Sequence, residues 1–205
     1  MVATEIERFP TGEPRTGAEI ASHYAALADA GERFLRRLPG DVFFAAQGDR
    51  WSPAEHTRHL EKSARALAPA LRLPQLVLLL RFGRSKRPSA SFAELVERYH
   101  GCLAAGGQAG RFAPSAKPAP ADVERGREEI VARWRKTGDA LRSSILRWSE
   151  PALERCRLPH PLLRMLTLRE MLMFMLYHDA HHLRLVADRL PEELRERALA
   201  DGGQT

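Results

Sequence analysis

Cysteine is scarce in this sequence. Cys102 and Cys156 are the only two among 205 residues, too few for a disulfide framework or a four-thiolate zinc site. Long apolar runs are missing as well: the most apolar segment, Leu76–Leu80, is far shorter than the roughly 20 residues that span a bilayer. The first ten residues are mixed and polar, unlike the apolar core of a signal peptide. These absences favour a soluble, cytoplasmic protein with no membrane partner.

Lysine is the other scarce residue, because only four of the 32 Lys+Arg residues are lysines. The arginines are interleaved with acids, as in ERGREEIVARWRK, a pattern typical of a solvated helix face. The one locally basic stretch, RFGRSKR at 81–87, contains a single aromatic residue, Phe82, and a nucleic-acid patch is denser than that. We therefore expect no nucleic-acid partner despite the net charge of +6. A basic nucleic-acid binder is an alternative that salt-dependent binding would reveal.

Apolar residues recur at helical spacing in four long segments. Capping boxes, in which a hydroxyl and a carboxylate three residues apart cap each other's main-chain amides, mark helix starts at Thr16, Ser52 and Thr167. The predicted helices span about 17–38, 53 to just before Pro74, about 122–148, and from after Thr167 to Leu190, with a short terminal helix after Pro191. No segment reads as a convincing strand. The sequence therefore predicts an all-α protein, a four-helix bundle.

A long connection separates the second and third helices. Residues 74–100 are predicted to hold short helices, with SFAELVERYH as the best candidate, whereas AAGGQAGRFAPSAKPAPAD has too many Gly and Pro residues to be regular. Such a segment either lines a site or is a floppy insertion, and both readings stay open. We expect one bundle domain over 16–200, with flexible tails at 1–15 and 201–205.

Three of the eight histidines lie within five residues, in YHDAHHLRL. His178 and His182 are four residues apart, which places them about 40° apart on one helix face. Met171, Phe174 and Leu185 share that face, so it points into the bundle. Because a buried imidazole without a partner is costly, we predict that this pair binds a metal ion. The alternative is that each ring finds a carbonyl, carboxylate or water and simply packs.

The second helix offers a third ligand. His59 is chosen because its neighbours on the same side leave room near a core site; they are small residues, Ser63, Ala66 and Ala70. His56 lies nearer the capped end, and we expect it to be exposed to solvent. His181, about 60° from His178, is either a hydrogen-bond donor to a ligand or the alternative ligand.

A general base is harder to find. Glu55 lies one turn before His59 and is the only candidate for a catalytic residue, although it is also the carboxylate of a capping box. His23, His100 and His160 have no motif around them and receive no role. The methionines of the fourth helix are interpreted as core residues.

Two segments resemble the DinB-like (DinB/YfiT) superfamily of four-helix-bundle metalloproteins. They are WSPAEHTRHLEK at 51–62 and HPLLRMLTLREMLMFMLYHDAHHLRLV at 160–186, and RFAPSAKPAP before the third helix is similar to one branch of that family. The resemblance covers most of residues 17–190. It implies a bundle that binds Zn²⁺, Ni²⁺ or a similar divalent ion through three histidines, which by position are His59, His178 and His182.

The resemblance also implies a small-molecule substrate, because characterised relatives include transferases and isomerases that use low-molecular-weight thiols such as mycothiol, bacillithiol or glutathione. Many relatives are homodimers, so a homodimer is expected. Three neutral imidazoles leave an ion its double charge and open positions, and such an ion acidifies a bound thiol. We predict a metal-dependent thiol S-transferase. A metal-dependent hydrolase and a non-catalytic metal- or ligand-binding bundle are the alternatives.

Overall fold

The computed structural model describes residues 9–46, 48–115 and 117–200. Loops connect the helices, and one hairpin of two strands precedes the last long helix. In chain order the elements are α1 Gly17–Arg37, α2 Gly40–Phe44, α3 Pro53–Arg72, α4 Gln75–Phe82, α5 Phe92–Ala104, a 3-10 turn at Gly110–Phe112, α6 Val123–Ile145, α7 Glu150–Arg155, β1 Arg157–His160, β2 Arg164–Thr167, α8 Leu168–Arg189 and α9 Glu192–Leu199.

The four long helices pack in a ring in which α1 and α3 each contact both α6 and α8. Their apolar stripes fill the centre, and each helix contributes large buried side chains to one continuous core: Ile20, Tyr24, Leu27, Phe34, Leu60, Leu67, Leu71, Ile130, Trp134, Leu141, Ile145, Leu172, Leu176 and Leu183. The predicted all-α bundle is therefore confirmed. Within the described residues, no helix combines the length and the apolarity that crossing a membrane requires.

The helix α8 is the central element, because 17 of its 22 residues are buried. It contacts α1, α3, α5, α7 and both strands, so that solvent reaches little of its circumference. Polar side chains on α8 must consequently find partners inside the protein. This is where the histidine-rich segment lies.

The three predicted capping boxes are all present, at Thr16, Ser52 and Thr167. A fourth, formed by Ser91 and Glu94, starts α5 within the segment that the sequence identified as a helix. In each box the hydroxyl accepts from the main-chain N–H three residues on, and the carboxylate accepts from the main-chain N–H of the capping residue. These reciprocal bonds fix where α1, α3, α5 and α8 begin.

The expectation of no strands was wrong. Strands β1 and β2 pair antiparallel, with Leu158 opposite Leu166, and both leucines are buried against the bundle. Each strand has only four residues, and β1 contains a proline, so the segment carries too little alternation to be read as a hairpin. The chain enters β2 through Arg164, which has a φ of +62°.

Part of the segment predicted as a tail at 1–15 packs against the bundle. Phe9 is 1% exposed, and its ring lies 5.3 Å from the ring of Phe34. Arg184 donates to the Phe9 carbonyl (2.6 Å), and Nδ1 of His23 lies 2.5 Å from the Thr11 carbonyl. An isolated aromatic residue followed by Pro and Gly gave no pattern that indicated this packing. Residues 1–8 and the tail predicted at 201–205 lie outside the described residues.

Candidate metal centre

Three histidines meet where α3 packs against α8. The ring centroid of His59 lies 4.8 Å from that of His178 and 4.7 Å from that of His182, while the two α8 rings are 4.6 Å apart. Each is at most 7% exposed. One nitrogen from each ring lies within 4.8 Å of the other two. The three histidines that the sequence selected are thus brought together, and they could hold a metal ion.

The proton of His59 is fixed by a main-chain contact. Its Nδ1 lies 2.8 Å from the carbonyl oxygen of Phe112, and because a carbonyl only accepts, Nδ1 carries the proton. The lone pair is therefore on Nε2, which lies 2.9 Å from Nε2 of His178. A hydrogen bond from the distal ring nitrogen to a carbonyl is the arrangement that metal-binding histidines usually have.

His56 is buried rather than exposed, contrary to the sequence-based expectation. It is 4% exposed, and its Nδ1 lies 2.8 Å from Nδ1 of His182. Arg189 approaches the other ring nitrogen, Nε2, at 3.1 Å. Since a guanidinium only donates, His56 carries its proton on Nδ1 and donates it to His182. His182 therefore carries its own proton on Nε2. To bind an ion through Nε2 as a neutral imidazole, it would carry the proton on Nδ1 instead, with His56 as the acceptor.

Trp51 is the reason that these rings are enclosed. Its indole stacks on His182 at a centroid distance of 6.1 Å and an interplanar angle of 13°. It also contacts His59 at 5.1 Å and His56 at 5.5 Å. The sequence placed His56 near solvent because it lies in the first turn of α3. A tryptophan two residues before that helix instead folds back over the turn.

Burial keeps the histidines neutral. It lowers the pKa of His178 and His182 well below the ordinary 6.5, and it lowers the pKa of His59 as well. It also lowers the pKa of His56 to about 3, with a contribution from Arg189. Neutral imidazole is the form that binds a metal. The donor set therefore suits a divalent ion such as Zn²⁺ or Ni²⁺.

One buried nitrogen of the cluster has no partner. Nδ1 of His178 forms no hydrogen bond within the part of the chain that the structure describes. Burying a polar atom in this way is unfavourable. Because Nε2 of His178, not Nδ1, faces His59, an ion between these rings would not supply the missing partner. The fit between the triad and a metal depends instead on its three neutral nitrogen donors.

A cavity of about 550 Å³ opens beside the three histidines. Its walls come from several elements and are mainly apolar, including Ala66, Leu67, Ala70, Phe82, Leu103, Leu158, Met171, Phe174 and Met175. The long connection supplies part of this lining through Phe82, Tyr99, Leu103, Gln108 and Phe112. The sequence left open whether the connection lines a site or is a floppy insertion. The structure favours the first interpretation, because the connection lines the site.

Two polar residues of the cavity were missed from the sequence. His160 ends β1, and its Nδ1 accepts from the main-chain N–H groups of Leu162 (3.2 Å) and Leu163 (3.0 Å), so its proton is on Nε2. Burial lowers the pKa of His160 to about 4 and raises that of Tyr99 to about 12, so both are neutral donors. Neither has a spacing signal, because the hairpin and α5 reach the site only through the fold.

His181 lies apart from the triad. Its ring stacks on Tyr177 at a centroid distance of 6.0 Å and contacts Tyr99 at 5.9 Å and His100 at 6.1 Å. It lines the cavity, but the cluster of nitrogens that could hold an ion consists of the other three histidines. Its role as an alternative ligand therefore gains no support from the geometry.

Glu55 and Asp179, which lie close to His59 and His178 in the sequence, have structural partners. Glu55 accepts from the N–H (2.8 Å) and hydroxyl (3.0 Å) of Ser52, and it is absent from the cavity lining. The prediction of Glu55 as a general base thus gains no support. Asp179, next to His178, accepts from Tyr24 (2.9 Å) and Trp134 (3.1 Å). Burial raises its pKa to about 7 although both hydrogen bonds act to lower it.

Comparison with known proteins gives one match. A family model described as the DinB superfamily matches residues 20–186, which is more than half of the chain. That range contains α3 and α8 and hence all three histidines. No curated protein and no solved structure matches the chain.

Proposed function

This chain belongs to the DinB superfamily, and we propose that it is an enzyme that holds a divalent ion, Zn²⁺ or Ni²⁺, and transfers a low-molecular-weight thiol to an electrophilic small molecule. His59, His178 and His182 would hold the ion. The observation that carries the proposal is the convergence of these three buried, neutral imidazoles on the wall of a cavity of about 550 Å³. A donor set of three nitrogens is characteristic of catalytic rather than closed structural zinc sites.

When bound, the ion supplies a Lewis acid that lowers the pKa of a thiol and so provides a thiolate nucleophile near neutral pH. The protein's own contribution begins with positioning. The Phe112 carbonyl orients His59, His56 orients His182, and Trp51 covers both rings. Ligands held in this way lose little freedom when the ion binds.

The cavity supplies room and selectivity for the electrophile. Its volume lies within the range of small-molecule sites, about 300–1,000 Å³, and its apolar walls limit the entry of water that would compete with the thiol. His160 and Tyr99 offer neutral N–H and O–H donors in that lining. We infer that they orient an oxygen of the electrophile.

The test is a conjugation assay with 1-chloro-2,4-dinitrobenzene and a panel of glutathione, bacillithiol and mycothiol. In this reaction the thiol sulfur bonds to the ring carbon, chloride leaves, and the thiol proton goes to solvent. Metal-loaded protein is expected to accelerate conjugation with at least one thiol. Chelation and His178→Ala should each abolish the rate, whereas His23→Ala, which alters a histidine outside the cavity, should retain it.

Other outcomes separate the alternatives. Loss of helicity on chelation would indicate a structural ion. Ester hydrolysis that needs the metal and His178, without conjugation, would indicate a hydrolase. A folded, metal-loaded protein that is inactive with every thiol in the panel would contradict the transferase proposal.

A further inference from the structure

A second cavity, of about 560 Å³, lies on the hairpin and is lined by cations. Five basic side chains reach it from four parts of the chain, namely Lys86, Arg87, Arg98, Arg157 and Arg164. The basic run at 81–87, which the candidate metal centre leaves largely unused, therefore folds against α5 and the hairpin. Leu158 and His160 of the same hairpin line the first cavity, so the hairpin is a wall common to both.

The positive charge of this cavity is poorly balanced. None of its lining residues is acidic. The carboxylate of Glu170 approaches Arg87 at 2.6 Å and Arg98 at 4.0 Å, but it is fully buried and also accepts from two main-chain N–H groups. A second acid near Arg87, Glu154, is paired with Arg169. Glu170 thus pairs with two of the five cations, Arg87 and Arg98.

Several of these cations retain unused donors. Among the described residues, neither the Lys86 ammonium nor the Arg164 guanidinium forms a side-chain hydrogen bond or an ion pair. Arg157 donates to the Phe82 carbonyl (2.6 Å), while its Nε is buried without a hydrogen-bond partner. Arg164 has the left-handed φ of +62° that non-glycine residues seldom adopt. Residues held in sparsely populated backbone conformations cluster at active sites and ligand clamps.

We propose that this cavity binds a phosphorylated small molecule with at least two negative charges. Guanidinium groups form paired hydrogen bonds to phosphate oxygens, and four arginines and a lysine around one space can contact more than one phosphoryl group. The volume exceeds what a bare phosphate needs and suits a compact organic phosphate. A nucleic acid strand would instead need a stripe of charge along an extended surface.

Binding is measured by isothermal titration calorimetry in magnesium-free buffer. ATP and inorganic pyrophosphate are the probes, and adenosine is the uncharged control. Saturable binding of one ATP per chain is expected, with no binding of adenosine and an affinity that falls as salt increases. Lys86→Gln combined with Arg164→Gln should weaken binding at least tenfold. The matched pair Arg33→Gln with Arg72→Gln removes two exposed charges elsewhere and should change affinity less than twofold.

Three results would overturn the proposal. The first is the absence of saturable binding by the wild-type protein. The second is an equal loss of affinity in the two double variants, which would show attraction to overall charge. The third is binding that survives Lys86→Gln with Arg164→Gln but disappears in His178→Ala, which would place the phosphate at the histidines.

Discussion

Glu170 anchors the start of α8, and its replacement by glutamine tests how the basic segment is held. Both oxygens of this fully buried carboxylate accept two N–H donors: Oε1 from Arg87 (2.6 Å) and Ala90 (2.8 Å), and Oε2 from Arg87 (3.0 Å) and Thr167 (2.8 Å). The amide nitrogen of Gln cannot accept, so Glu170→Gln loses two of these four bonds. At roughly 1.5 kcal/mol for each bond to a charged group, the expected loss is about 3 kcal/mol.

The pH dependence supplies a second readout. Burial by itself raises the pKa of Glu170, but Arg87 and the two main-chain donors bring it below the ordinary 4.5. A carboxyl with a depressed folded pKa contributes stability above its unfolded pKa and loses it as the pH falls through the folded pKa. The difference between wild type and Glu170→Gln should therefore be largest near neutral pH and shrink below the ordinary value of 4.5.

Urea unfolding followed by circular dichroism measures both effects, and a loss of about 3 kcal/mol corresponds to roughly 6–12 °C in Tm for a protein of this size. Glu94→Gln is the matched control, because Glu94 is also a capping-box carboxylate but is exposed, and within the described residues it accepts hydrogen bonds only from Ser91. Its loss should be clearly smaller. Equal losses in the two variants, or a difference that does not shrink in acid, would refute the reasoning.

Two further predictions concern the interior of the bundle. His56→Phe removes the hydrogen-bond partner of His182 and should weaken metal affinity roughly 10- to 100-fold in a chelator competition. His23→Phe should leave the affinity unchanged, and an unchanged affinity in His56→Phe would contradict the role of His56. Trp134→Phe leaves Asp179 with one donor, Tyr24, and should cost about 1–3 kcal/mol in urea unfolding. Trp148→Phe removes a longer, half-buried bond to Leu71 (3.3 Å) and should cost less.

The sequence was sufficient for the features that depend on local pattern. Apolar spacing and capping boxes gave the four long helices, because each helix buries one stripe and begins at a residue that caps it. The spacing of His178 and His182 on an apolar face, together with the small residues near His59, was enough to select the three histidines that meet in space. These arguments use only contacts within a helix or the certainty that an apolar face is buried.

The features that were missed depend on contacts between distant segments. His56 is enclosed by Trp51 and held by Arg189, and neither contact follows from its position in α3. Asp179 lies on a helix that is buried nearly all round, and its partners Tyr24 and Trp134 come from α1 and α6. Neither partner follows from the residues around Asp179 in the sequence.

The central claim is that the three histidines hold a divalent ion, and metal content measured by plasma mass spectrometry on untagged protein tests it most directly. The prediction is close to one Zn²⁺ or Ni²⁺ per chain in the wild type and in His23→Ala. His178→Ala should lose the ion while its helical circular dichroism signal persists. A wild-type protein that remains free of metal after reloading, or a His178→Ala variant that keeps the full complement, would contradict the account.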